Sequence, residues 1–288
     1  MKRIAILGSK GYVGSRFVSF LKSKDIEVNE LSRQNVDFLD QNSLFWLLKD
    51  IKPDHIINAA GYTGKPNVDA CEYDKDNCWK QNVDLPKNIS KICNDLKIKY
   101  IHVSSGCIYS GNKDDLKGFS EEDQPNFSFD IPPCSFYSGT KAEAEKALSK
   151  DKNVYICRLR VPFSHNSNQR NYITKLITYN KLLDVQNSLS NLEEFIEACY
   201  HLISKDCPTG IYNITNTGYV TTKQVTEIIN KYLTNKEFSF FKNDEEFYST
   251  TAQTPRSNCV LNNDKLINTG FNIKSVQDSL ENAIKNYK

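Results

Sequence analysis

The chain has 288 residues, 39% of them hydrophobic, long enough to bury a full core in one large domain or a domain and a half. Its 37 Lys and Arg against 35 Asp and Glu leave a formal charge of +2, neither the basic footprint of a nucleic-acid binder nor an acidic tail. Nine scattered cysteines, without C-x-x-C or paired-histidine spacing, argue against a disulfide framework or a metal site and for reduced thiols in a cytoplasmic protein. No apolar run approaches membrane length.

Ile4 to Leu7 is an all-apolar run, as expected of a strand buried on both faces of a parallel sheet. Gly8-Ser9-Lys10-Gly11-Tyr12-Val13-Gly14 follows at once, then Phe17, Val18 and Leu21 at helical spacing. Glycines at a strand-to-helix turn let bare backbone approach a pyrophosphate at the positive end of a helix. Gly8, Gly11, Tyr12, Val13 and Gly14 are therefore expected to bind a dinucleotide. The second strand, Glu27 to Leu31, ends in Ser32-Arg33 rather than the acid that holds a ribose 2′-hydroxyl. A hydroxyl and a guanidinium suit a 2′-phosphate, which favours NADPH over NADH. Asp37 is placed to meet the adenine, and an amphipathic helix ends near Lys49.

His55-Ile56-Ile57-Asn58 reads as the next buried strand, running into Ala59-Ala60-Gly61, small enough for a cofactor to lie close above the sheet. His55 reads as a packed strand residue. The polar loop after it carries Lys65 and Asn67, where substrates sit in such sheets, and Asn82 lies on the helix beyond. Lys99 to Val103 delivers Ser104, Ser105 and Cys107 to the same sheet edge. Tyr137 and Lys141, four apart at the start of a helical segment, project from one face. A phenol supported by an ammonium, with a serine hydroxyl beside it, is a proton-transfer set for a carbonyl or alcohol. Val154 to Val161 and a returning strand near 210–215 complete the sheet, while 171–175 and the region after Thr222 read as helical. The expected fold is α/β: a Rossmann-type doubly wound parallel sheet (1–161 plus 210–215), with a smaller substrate lobe from 162–209 and 216–288.

In combination these motifs resemble the extended short-chain dehydrogenase/reductases, and within them the dTDP-4-dehydrorhamnose reductases. The chain is still more similar to the bifunctional nucleotide-rhamnose synthases, the 3,5-epimerase/4-reductases of plants and some large DNA viruses. The carrying segments are 61–72, Gly106-Cys107-Ile108-Tyr109, 121–127, 170–175 and Pro255-Arg256-Ser257-Asn258. The resemblance implies NADPH reduction of a nucleoside-diphosphate 4-keto-6-deoxy-glucose, UDP ahead of dTDP. Tyr137 would be the proton donor, with Lys141 and Ser105 in support and Cys107 and Lys175 as epimerase acid and base. Lys65, Asn67, Arg170, Asn171 and Arg256 are candidate substrate ligands. A homodimer, and coupling to a nucleotide-glucose 4,6-dehydratase, are expected by analogy. The alternatives are a monofunctional 4-reductase and a non-catalytic NADP-binding regulatory subunit. The latter has no need of Ser105, Tyr137 and Lys141 together.

Overall fold

The computed structural model describes residues 2–34 and 36–288, and the chain divides into two compact units. The first comprises residues up to Ser104 with Ser135–Cys157 and Asp206–Tyr212. It runs β1 (Arg3–Leu7), α1 (Tyr12–Lys22), β2 (Glu27–Leu31), α2 (Gln41–Ile51), β3 (His55–Asn58), α3 (Ala70–Tyr73) and α4 (Lys75–Trp79). After a π-helical turn at Lys80–Asp84 come α5 (Leu85–Leu96), β4 (Lys99–Ser105), α6 (Phe136–Leu148), β5 (Val154–Leu159) and β6 (Gly210–Asn213). The sheet order is β6-β5-β4-β3-β1-β2, and β2, β1, β3 and β4 pair in parallel. It is the expected Rossmann-type sheet.

Strand alternation sends Ala5 and Leu7 to one face, where Leu44 and Leu48 of α2 and Ile89, Ile92 and Cys93 of α5 cover them. Ile4 and Ile6 point to the opposite face and are equally buried. Each such aliphatic side chain contributes about 1.5–3 kcal/mol on leaving water. His55 is buried in its strand, its pKa lowered to about 4 chiefly by desolvation.

The second unit comprises Ser105–Cys134, Arg158–Lys205 and Asn213–Lys288. Its helices are α7 (Tyr172–Thr178), α8 (Leu192–Ser204), α9 (Thr222–Tyr232), α10 (Asp244–Thr250), α11 (Asp264–Ile267) and α12 (Val276–Lys285). Ile173 and Leu176, Val225 and Ile229, and Leu280 and Ile284 pack α7, α9 and α12 around one core with Phe163 and Leu182. A reciprocal Thr221–Gln224 capping box starts α9. This unit is the larger of the two, because 105–134 groups with it rather than with the dinucleotide sheet. The amides of Gly111 and Phe119 donate to the carbonyls of Asn258 (2.7 Å) and Val260 (2.9 Å), stitching that segment to 258–261. Among the described residues no helix is long and apolar enough to cross a membrane.

A Cβ on Gly14 would stand 2.1 Å from the Gly8 carbonyl oxygen, whereas one on Gly111 (φ +85°) would meet nothing within 4 Å. Gly14→Ala is expected to cost on the order of 3 kcal/mol or more, and Gly111→Ala about 1 kcal/mol. Thermal unfolding of the two variants checks the ordering, and equal midpoints would contradict it.

Candidate active site

The dinucleotide turn hangs from the end of β2. The amides of Gly8 and Ser9 donate to the Leu31 carbonyl at 3.1 and 3.3 Å, and the Ser9 hydroxyl donates to the same oxygen at 3.2 Å. Gly8 has φ +77°, and a Cβ there would lie 2.8 Å from the Ala60 nitrogen, so Ala59 and Ala60 pack directly on the turn. Gly11 caps α1 with no side-chain hydrogen bond, leaving Tyr12, Val13 and Gly14 in a first turn whose amides point outward. A cradle that any Cβ would fill, at a helix start, fits a dinucleotide phosphate.

Ser32 is buried just beyond β2, and Arg33 is exposed beside it, its guanidinium donating to Gln81 at 2.6 Å. Asp37 is also exposed, but its carboxylate accepts the Leu39 amide at 2.9 Å in a local turn. Asn82 is buried. Its oxygen accepts the Tyr62 amide at 2.8 Å, and its nitrogen donates to the Tyr62 carbonyl (2.8 Å) and to Thr140 (3.2 Å). It therefore clamps the loop after Gly61 to α6 rather than reaching outward. Lys65 and Asn67 are exposed in that loop, where the Asn67 side chain accepts the Asp69 amide.

The helix bearing Tyr137 and Lys141 starts at Phe136, where the Ser135 hydroxyl accepts the Ser138 amide as its cap. Tyr137 and Lys141 thus fall in its first two turns, on one face. Lys141 is buried, and its ammonium donates to the Val103 carbonyl at 3.2 Å. Ser104, one residue on, donates to Glu145 of α6. Beneath them His102 is fully buried, its pKa driven well below the ordinary imidazole value by desolvation and then by the charge of Lys141.

In the second unit Ser105 accepts the Cys107 amide at 3.2 Å, closing the tight turn Gly106–Ile108. Cys107 is 7% exposed. Cys259, which donates to the Gly106 carbonyl at 3.2 Å, backs the turn. Lys175 lies on α7, its pKa lowered by desolvation and then by the charge of Arg170, which is exposed. Asn171 is buried and turns its side chain onto its own loop and helix. Its oxygen caps the Ile173 amide, and its nitrogen donates to the carbonyls of Ser164 and Asn166 at 2.8 and 2.7 Å, so its side chain is spent on the fold. Arg256 lines a cavity of about 890 Å³ with Phe127, Tyr248, Asn112, Gln186 and Asn258. The Tyr248 hydroxyl accepts the Arg256 amide at 3.0 Å, which ties α10 to that loop. Tyr248, Gln186 and Asn112 escaped sequence reasoning, because no local spacing links three such distant segments.

The RmlD substrate binding domain model matches residues 1–288. The chain belongs to the RmlD substrate binding domain family. This RmlD-family chain is 32% identical over 280 residues to the bifunctional dTDP-4-dehydrorhamnose 3,5-epimerase/dTDP-4-dehydrorhamnose reductase of Arabidopsis thaliana, covering 96% of this chain and 90% of that protein. Trifunctional UDP-glucose 4,6-dehydratase/UDP-4-keto-6-deoxy-D-glucose 3,5-epimerase/UDP-4-keto-L-rhamnose-reductases of the same plant are 31–32% identical over 96% of this chain, which spans only 41% of their length. Among solved structures, the L780 UDP-rhamnose synthase of Acanthamoeba polyphaga mimivirus superposes with a TM-score of 0.90 at 25% identity, covering 99% of each chain.

Asn82→Ala is expected to leave the backbone N–H and C=O of Tyr62 without their Asn82 partner and to cost about 2–4 kcal/mol. Urea unfolding checks this. Asn82→Asp, which buries a carboxylate against the Tyr62 carbonyl, should cost at least as much as Asn82→Ala.

Proposed function

We propose that this chain is an NADPH-dependent 4-reductase of a nucleoside-diphosphate 4-keto-6-deoxy-D-glucose that also epimerises C3 and C5, yielding the L-rhamnose nucleotide. The observation that carries it is the placement of Tyr137 and Lys141 on α6, with the ammonium bound to the Val103 carbonyl near the end of β4. The glycine turn follows β1 at the same carboxyl edge of the sheet. Similarity to relatives bearing these activities in their names supports the substrate class, and the UDP names of the viral and trifunctional proteins favour UDP over dTDP.

Gly8, Gly11, Gly14 and the first turn of α1 would hold the pyrophosphate, with Ser32 and Arg33 toward a 2′-phosphate. NADPH held there would supply the hydride for C4. Tyr137 gives its phenolic proton to the oxygen at C4 as negative charge develops there, Lys141 favours the phenolate left behind, and Ser105 hydrogen-bonds the same oxygen. The C3 and C5 protons are both alpha to the C4 carbonyl and so are acidic enough to exchange. Inversion needs an acid and a base on opposite faces of the ring, roles assigned to Cys107 and Lys175. Burial and the Arg170 charge both raise the neutral fraction of the Lys175 amine, the form that accepts a proton. In the second unit's cavity, Phe127 and Tyr248 would pack against a base and Arg256 would pair with a diphosphate. A nucleotide-glucose 4,6-dehydratase must supply such a ketosugar.

UDP-4-keto-6-deoxy-glucose and NADPH in deuterated water test the proposal. The expected product is the L-rhamno sugar carrying deuterium at C3 and C5. Turnover of the pre-epimerised ketosugar alone identifies a monofunctional reductase, and no NADPH oxidation with either identifies a non-catalytic subunit. Cys107→Ala and Lys175→Ala should each reduce deuterium uptake at least a hundredfold while sparing reduction of the pre-epimerised substrate. Unchanged exchange in either variant removes that residue from the epimerase role.

A further inference from the structure

A second buried ionisable group sits one turn beyond Lys141 on α6. Glu145 lies four residues on, so its carboxyl and the Lys141 ammonium project from the same helix face. Their side chains are 4% and 5% exposed. The two dock on successive residues of β4: Lys141 donates to the Val103 carbonyl at 3.2 Å, and Glu145 accepts the Ser104 hydroxyl at 2.5 Å. Burying either charge alone is costly, and at this spacing each offsets the other.

We propose that Glu145 is a positioning residue for reduction: a buried counter-charge that holds Lys141 docked on β4 and, by offsetting part of the ammonium's pull on the phenolate, sets the proton affinity of Tyr137. This rests on the reading of Tyr137 and Lys141 as the proton-donating pair. The other titratable groups around α6 do not fill the role. From β4, His102 is buried and neutral. From α3, Glu72 is half-buried and accepts the Phe136 amide at 2.7 Å, and Cys71 is a buried thiol. From α4, Cys78 lies 3.6 Å from the Thr140 hydroxyl. The π-helical turn adds the half-buried Asp84, and α5 adds Lys87, Lys91 and Asp95, all exposed and screened by solvent. Glu145 is the one fully buried carboxyl among these groups.

The sign of the effect follows from charge. A nearby anion disfavours the phenolate, so neutralising Glu145 moves Tyr137 ionisation to lower pH, and the proton-donating form is lost earlier. Glu145→Gln preserves the acceptor for Ser104 and the side-chain volume. It is expected to move the basic limb of the kcat/KM profile for ketosugar reduction down by about one pH unit. Glu145→Asp should restore the limb, and Ser104→Ala, which removes the hydrogen bond but keeps the charge, should leave it in place. The Tyr137 phenol is titrated in parallel, without substrate, from tyrosinate absorbance as the difference from Tyr137→Phe in each background. A wild type that never oxidises NADPH overturns the proposed function, while the absorbance titration still decides the role of Glu145. A limb and a titration that stay put, or move to higher pH, in Glu145→Gln overturn the inference and leave Glu145 as an anchor for Ser104.

Discussion

Contact of backbone on backbone at the glycine turn is the constraint on which the first unit depends. Gly14 presses on the Gly8 carbonyl, Gly8 presses on the Ala59–Ala60 peptide, and the Leu31 carbonyl receives the amides of Gly8 and Ser9. The ends of three neighbouring strands and the start of α1 therefore meet at one point with no side chain between them. Only residues without a Cβ tolerate this at Gly8 and Gly14, where added atoms would overlap main chain that cannot rotate away. The approach also leaves the opening amides of α1 pointing out from the carboxyl edge of the sheet, where a phosphate can accept them.

Around that edge, the unit handles buried polarity in two different ways. Lys141 and Glu145 stay polar and are satisfied by β4, one by a carbonyl and the other by a hydroxyl. His55 and His102 are instead held neutral by desolvation, which keeps uncompensated charge out of the sheet. One helix, α6, is thus locked to its strand by Lys141 and Glu145.

The second unit uses a buried arginine to join segments far apart in the chain. Arg160, 5% exposed, donates to the Asn187 side chain and to the Ser257 carbonyl. Asn187 also accepts the Cys259 amide at 3.0 Å, and Ser257 donates to the Tyr109 carbonyl at 2.6 Å. The turn with Cys107, the strand at 186–187 and the loop with Arg256 are held as one piece. No carboxylate pairs with Arg160 among the described residues. Its charge is met by neutral oxygens, which fix geometry through directed hydrogen bonds.

Local periodicity determined much of this protein. An apolar run, glycines at three-residue spacing and a helical stripe define β1, the turn and α1, because strand burial and bare-backbone turns are properties of adjacent residues. The four-residue spacing of Tyr137 and Lys141 likewise defines one helix face. Tertiary structure alone decided which polar side chains remain available. Asn171 and Asn82 carry amides that look equally apt for a ligand, yet partners 2 to 58 residues away consume them. It alone drew 105–134 into the second unit, gathered Asn112, Phe127, Gln186, Tyr248 and Arg256 around one cavity, and set Glu145 against Ser104. The physical reason is that a side chain has a fixed number of donors and acceptors, and long-range folding, which sequence spacing does not encode, decides where they are used.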